Sequence, residues 1–301
     1  VSATIATATG GSFESLQIDP TAASSSVTDD VDATTVSLAA TASVAEGGSI
    51  VYTATLTNAA QTPVTVTLST GETITIAAGA TTGSVSILAP ANDVVVDAGN
   101  VARTISAASG GNFESLVVDA TAATTTVTDT IDTTTATLTA TPSVVEGGTI
   151  TYTVSLAAPV TGSDVTVTLA GGQVITIPIG ASSGTATGTA PDNVYAGGGS
   201  VANNIVSASG GNFEQLTPNS APVTTTVSDD GDVTTVSLSA TASVVEGTSI
   251  TYTATLTNAA ASPVTVTLST GETITIAAGA TTGAVTIAAP TDDPHVDAGS
   301  V

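Results

Sequence analysis

The chain has 301 residues with 25 Asp or Glu against a single basic side chain, Arg103, and a lone His295, a formal net charge of −24. Such a surface repels phosphate backbones and anionic lipid, so nucleic-acid binding and attachment to anionic membranes are excluded and cations become the natural partners. Cysteine is absent, aromatics are 2% against 41% apolar residues, and no run nears the roughly 18 apolar residues of a membrane helix, so small Val/Ile/Leu/Ala cores must hold without disulfides, thiolate metal sites or membrane insertion.

The chain repeats itself. Glu46-Gly47 returns as Glu146-Gly147 and Glu246-Gly247, Tyr52 as Tyr152 and Tyr252, and Gly10-Gly11-Ser12-Phe13-Glu14 as Gly110–Glu114 and Gly210–Glu214. A one-residue insertion before Val165 is cancelled by a deletion within Asp192–Tyr195. Tandem near-identical modules cover distance or multiply contacts more often than they perform chemistry.

Within 32–131, alternation with a period of two predicts strands at Thr35–Ala40, Ile50–Leu56, Val64–Leu68, Thr73–Ile76, Val85–Ile87, Val101–Ala107 and Thr125–Val127. Turn residues separate them at Glu46-Gly47-Gly48, Thr70-Gly71-Glu72, Gly79, Pro90, Gly99 and Gly110-Gly111. About seven short strands per unit predict an all-β chain of tandem immunoglobulin-like β-sandwiches in an extended rod. The inward phase places Tyr52, Tyr152 and Tyr252 in the cores, and Phe13, Phe113 and Phe213 as plugs at the sandwich ends. The expected organisation is the C-terminal part of one sandwich (1–31), two complete repeats (32–131 and 132–231) and a further repeat (232–301) that stops before its last strands. The links Asp29–Asp32, Asp129–Asp132 and Asp229–Asp232 are short enough to hold neighbours end to end.

The acidic residues fall outside the strand interiors. An up-and-down tracing puts the Glu46 turn, the Glu72 turn, the Pro90–Gly99 loop and the exit link Asp129–Asp132 at one end of the sandwich, with Glu114 at the other, beside Asp29 and Asp32. Stacking the next module gathers Glu46, Asp93, Asp97, Asp129, Asp132 and the neighbour's Glu214 at one joint, and this joint is expected to be the most complete. Its copies add Glu146, Asp229 and Asp232. Carboxylates converging without basic partners call for a cation, and an all-oxygen set of loosely arranged ligands suits Ca²⁺ better than Mg²⁺. Asp30, Asp97 and Glu72 are weaker candidates, because Thr130, Gly197 and Gln173 stand in their places. With one His, no Cys and no Lys there is no nucleophile–base pair, and an enzyme is not expected.

The run Thr128–Thr135, followed by Ser143-Val144-Val145-Glu146-Gly147-Gly148-Thr149-Ile150-Thr151-Tyr152-Thr153, resembles the extender repeats of giant bacterial adhesins of the large-adhesion-protein type, which are exported by type I secretion and related to repeats-in-toxin proteins. Gly110–Glu114 and Pro63–Leu68 match the same pattern, and the Val-x-Glu-Gly turn bears a fainter likeness to Calx-β domains. The resemblance implies tandem β-sandwiches that bind Ca²⁺ near module joints, at Asp129, Asp132, Glu46 and their copies, and that extend an adhesive tip from the bacterial surface for attachment or biofilm formation. The expected partners are calcium ions, neighbouring repeats and other copies of the chain. The alternative expectation is an extracellular filament or sheath subunit whose modules are completed by strands of another copy.

Overall fold

The computed structural model describes residues 1–292 together with 294, 295 and 299. The described residues form strands, turns and loops with no helix, so the all-β expectation holds. Two compact units are distinguished, Val1–Asp132 and Thr133–Val301.

In the first unit β1 (Ser2–Ala3) pairs with β2 (Ala23–Ser24). A complete module follows: β3 (Ala33–Ala40), β4 (Ser43–Ala45), β5 (Ser49–Leu56), β6 (Val64–Leu68), β7 (Thr73–Ile76), β8 (Thr82–Leu88), β9 (Gly99–Arg103), β10 (Ile105–Gly110), β11 (Ser115–Val118) and β12 (Ala123–Thr128). One sheet has the order β11-β3-β5-β8, and the others are β10-β6-β7 and β4-β12-β9. Most pairs are antiparallel, but β11 runs parallel to β3 and β12 parallel to β4.

The second unit holds the same plan in β13 (Thr133–Ala140), β14 (Ser143–Val145), β15 (Thr149–Ser155), β16 (Val165–Leu169), β17 (Val174–Ile177), β18 (Ser183–Thr189), β19 (Gly199–Asn203), β20 (Ile205–Gly210), β21 (Gln215–Pro218) and β22 (Val223–Ser228). It continues with β23 (Val236–Ala240), β24 (Ser249–Leu256), β25 (Val264–Thr267), β26 (Thr273–Ile276) and β27 (Thr282–Ala288).

Alternation along each strand builds the cores. Ile50, Tyr52, Ala54 and Leu56 of β5 point inward onto Val64, Val66 and Leu68 of β6 and Ile74 and Ile76 of β7, while the intervening Thr and Val side chains face outward. Each buried Val, Ile or Leu contributes about 1.5–3 kcal/mol, which lets modules with so few aromatic residues fold. Tyr52 and Tyr152 are buried as expected, and Tyr252 is partly so. The Phe expectation holds for the complete modules: Phe213 is buried and Phe113 packs on its core, whereas Phe13 is exposed. In the third module β23 has no parallel neighbour of the β11 kind among the described residues. Val236 and Leu238 are accordingly exposed where Val36, Ala136 and Leu138 are buried.

One strand path is broken where the sequence pattern shows the single run Val101–Ala107, and the last path gains a strand, β11, ahead of the predicted Thr125–Val127 run. The path opposite β6 divides at Thr104, beside a register shift between Ile105 and Ala107. The last path divides at Asp119, whose Oδ1 accepts the Thr121 N–H at 2.9 Å and turns the backbone. That turn lets β11 join one sheet and β12 another, and so the final path closes both.

One placement from the tracing needs correcting. The Glu72 turn does not reach the end occupied by Glu46. Leu68 pairs with Ile105, and the Ser69 N–H donates to the Thr104 carbonyl at 2.9 Å. The short β6–β7 hairpin therefore ends beside the middle of a longer strand path, about 16 Å short of Gly99 at a rise of about 3.3 Å per residue. Glu72 lies in the field of Arg103, and its carboxyl is held below the ordinary value first by the Thr70 hydroxyl and only weakly by that guanidinium.

Candidate metal centre

Each described acidic side chain lies outside the strands. The exit end of a module is where the Glu-Gly turn, the loop after β8 or β18 and the end of β12 or β22 meet. Gly47 and Gly147 adopt φ of 67° and 68°, the left-handed region that favours glycine, which explains the recurrent Glu-Gly pair. The turn is tied down by its backbone. The Glu46 N–H donates to the Thr128 carbonyl at 3.0 Å and the Gly47 N–H to that of Pro90 at 2.6 Å; in the next module Glu146 donates to Ser228 at 2.8 Å and Gly147 to Pro191 at 3.3 Å. These bonds fold the glutamates inward, leaving Glu46 7% and Glu146 6% exposed.

At the first exit end, Glu46 and Asp129 offer carboxylate oxygens within 4.8 Å of each other. The Asp97 N–H donates to Asp129 Oδ1 at 3.3 Å. Asp132 accepts from Asn92 Nδ2 at 2.5 Å, while the Thr130 hydroxyl donates to Asn92 Oδ1. Asp93 binds its own loop, accepting the Val95 N–H at 2.7 Å. A cleft of about 200 Å³ opens among Glu46, Pro90, Asp97 and Val127.

The second exit end draws its carboxylates into two overlapping groups. Glu146, Asp229 and Asp230 bring one carboxylate oxygen each to within 4.8 Å of one another, and so do Asp192, Asp230 and Asp232. Asp230 belongs to both groups. Glu146 Oε1 accepts from Asn193 Nδ2 at 2.8 Å, whereas Oε2 is buried and accepts no hydrogen bond. The Gly197 N–H donates to Asp229 Oδ2 at 3.2 Å. A Cβ on Gly198 would lie 2.3 Å from the Val227 carbonyl oxygen, so only glycine lets this loop pack onto β22. Burial first, then the charges of Asp229 and Asp230, raise the pKa of Glu146 above the ordinary carboxylate value. Asp232 is raised first by Asp230, then by burial and by Asp192 and Asp229. The Asp232 direction reflects first the repulsion of its neighbours, and the Glu146 direction first its burial and then that repulsion. An all-oxygen donor set with a buried, unpartnered carboxylate oxygen fits a hard divalent cation.

The entry end holds the other residues singled out by sequence. Glu114 Oε2 accepts the Asp32 N–H at 2.6 Å, away from the exit cleft of its own module. Glu214 occupies the equivalent turn of its module and is half-buried, and Asp29 is exposed in the link ahead of β3. The sequence reading of the acids missed Asp192, Asp230 and the amides Asn92 and Asn193. For the two amides the available signal was the repeated Pro-x-Asn of Pro90-Ala91-Asn92 and Pro191-Asp192-Asn193, which a search for charge passes over.

Residues 32–130, 132–230 and 232–301 each match the LapA domain. No curated protein matches the chain in sequence. Among solved structures the chain is similar to the native conformation of alpha-2-macroglobulin from E. coli, at 12% identity and a TM-score of 0.20, over 85% of this chain and 21% of that one.

Proposed function

The chain belongs to the LapA domain family, the repeat domains of large adhesion proteins, and from that premise we propose that its modules form a calcium-stiffened spacer of a bacterial surface adhesin, carrying a distal adhesive tip away from the cell. Repeats of this family are structural rather than catalytic. The observation that carries the calcium reading is the second exit end, where Glu146 presents a buried unpartnered oxygen to a group of aspartates.

Residues 229–232 link β22 to β23, while Glu146 and Asp192 belong to the turn and loop of the preceding module. Ca²⁺ held by Glu146, Asp229 and Asp230, or by Asp192, Asp230 and Asp232, would supply the positive charge the cluster lacks. It would thereby fasten the link to the module before it. Without the ion, like charges repel and the link loosens. Calcium sites of extracellular modules commonly have Kd on the order of 10⁻⁴–10⁻³ M, so such a joint would loosen in the cell interior and stiffen outside.

Small-angle scattering and thermal melting of the full chain, with calcium and with chelator, test this reading. The expected result is a larger maximum dimension and a higher melting temperature with calcium. The same dimension and the same melting temperature in both conditions would refute it.

A further inference from the structure

We propose that Asn193 and Tyr195 form a clasp that transmits the state of the carboxylate cluster to the orientation of the following module, a role that rests on the calcium reading above. The contacts form a continuous path. Asn193 Nδ2 donates to Glu146 Oε1 at 2.8 Å. On the other side of the same amide, Asn193 Oδ1 accepts the Tyr195 N–H at 2.9 Å. The Tyr195 hydroxyl then donates to the Ala259 carbonyl at 3.2 Å. Ala259 lies in the loop between β24 and β25, at the entry end of the next module, where Asn258 Nδ2 also holds the Thr234 hydroxyl at 3.2 Å.

The chemistry of each residue suits its place. A primary amide both donates and accepts, so Asn193 can hold a carboxylate on one side and a backbone N–H on the other; an aspartate there could do only the second. Tyr195 bridges the gap with a rigid ring that has two side-chain torsions, so fixing it costs little conformational entropy. It remains 43% exposed, a side chain spent on a contact rather than on a core. The corresponding stretch of the first complete module, Asp93-Val94-Val95-Val96, contains no aromatic residue. When the cation draws Glu146 toward the aspartates, Asn193 and the Tyr195 backbone are held with it, and the phenolic hydroxyl stays on Ala259. Coupling of this kind is a free energy shared by two sites, so it can be removed without removing either one.

The chain has no cysteine, and spin labels can therefore be placed uniquely at Thr166→Cys in β16 and Thr265→Cys in β25 of the full chain. Pulsed electron resonance gives the distance distribution between the modules, and calorimetry with calcium chloride gives ion affinity. In the labelled parent, calcium is expected to narrow the distribution. With Tyr195→Phe, which deletes only the hydroxyl, calcium affinity is expected to stay at the parent value while the narrowing is lost; Tyr195→Ala should behave alike. Narrowing in Tyr195→Phe equal to the parent's would overturn the clasp. If the parent binds no calcium, the calcium reading fails on the calorimetry alone. The clasp is then judged in the ion-free chain: a broader distribution in Tyr195→Phe keeps it as a strut between modules, and an unchanged one overturns it.

Discussion

The exit ends of the two complete modules share a backbone and differ in how charge is laid upon it. Both have the Glu-Gly turn, its tether to the last strand and its tether to the loop proline. Each end carries five acidic residues in turn, loop and link: Glu46, Asp93, Asp97, Asp129 and Asp132 in one, and Glu146, Asp192, Asp229, Asp230 and Asp232 in the other. Asp93 and Asp97 have no acidic counterpart in the second, and Asp192 and Asp230 none in the first. The loop amide changes allegiance as well, since Asn92 holds the link at Asp132 while Asn193 holds the buried glutamate. A Coulomb field tolerates a carboxylate moved by a few ångströms. A left-handed turn strongly favours glycine, so the turn is copied faithfully and the charges drift.

The comparison breaks most visibly at the loop. Gly198→Ala should destabilise the second module by about 1–3 kcal/mol, the cost of forcing atoms into a packed site, because the new Cβ meets the Val227 carbonyl oxygen. The first module already carries Ala98 in the matching phase, on a loop one residue longer. Hydrogen exchange of the β22 amides measures the effect, and protection equal to the parent's would show that the loop yields freely.

Giving the second exit end the residue of the first sharpens the contrast. Asp230→Thr removes the carboxylate shared by both acidic groups. Since loss of even an outer-shell partner typically costs about 10–100-fold in metal affinity, calcium binding there should weaken at least that much. Titration calorimetry of the full chain reads it, and the converse Thr130→Asp should strengthen binding at the first exit end.

A third expectation concerns pH in the ion-free chain. Glu146 has a folded-state pKa above its ordinary value of 4.5. Between those two values the folded state keeps a proton that the unfolded state has released. Its contribution is thus fully present below pH 4.5 and is lost as pH rises through the folded value. Urea midpoints measured across this window should fall with rising pH more steeply in the parent than in Glu146→Gln. Parallel profiles would mean that Glu146 ionises as it does in water. The smallest effect is expected from Asn92→Ala, which removes the amide contacts to Asp132 and to the Thr130 hydroxyl at a cost of about 0.5–1.5 kcal/mol, readable as a small drop in melting temperature.

Much of this architecture was legible in the residues. The period-two alternation of Ile50–Leu56 and Val64–Leu68 reports directly which side chains face inward, because successive Cβ atoms of a strand point to opposite faces. Turn glycines mark where the chain reverses, and acids confined to those turns place charge at the sandwich ends. What alternation does not carry is distance along a strand or choice of partner. It showed neither the short β4 and β11 nor the break at Asp119, and it set the Glu72 turn at the wrong height, since the reach of β6–β7 against its longer neighbour depends on register across the sheet.

The sequence by itself therefore determined the module, its inward and outward faces, and the sign of the charge at its ends, since these follow from local periodicity and composition. Tertiary structure alone decided that Glu146 is buried beside Asp229 and Asp230, that Asp192 and Asp232 meet across Asp230, and that an uncharged Asn193 grips the glutamate. Those relations join residues tens of positions apart, from a turn, a loop and a link, and a hydrogen-bond partner is selected by the packing that brings such segments together.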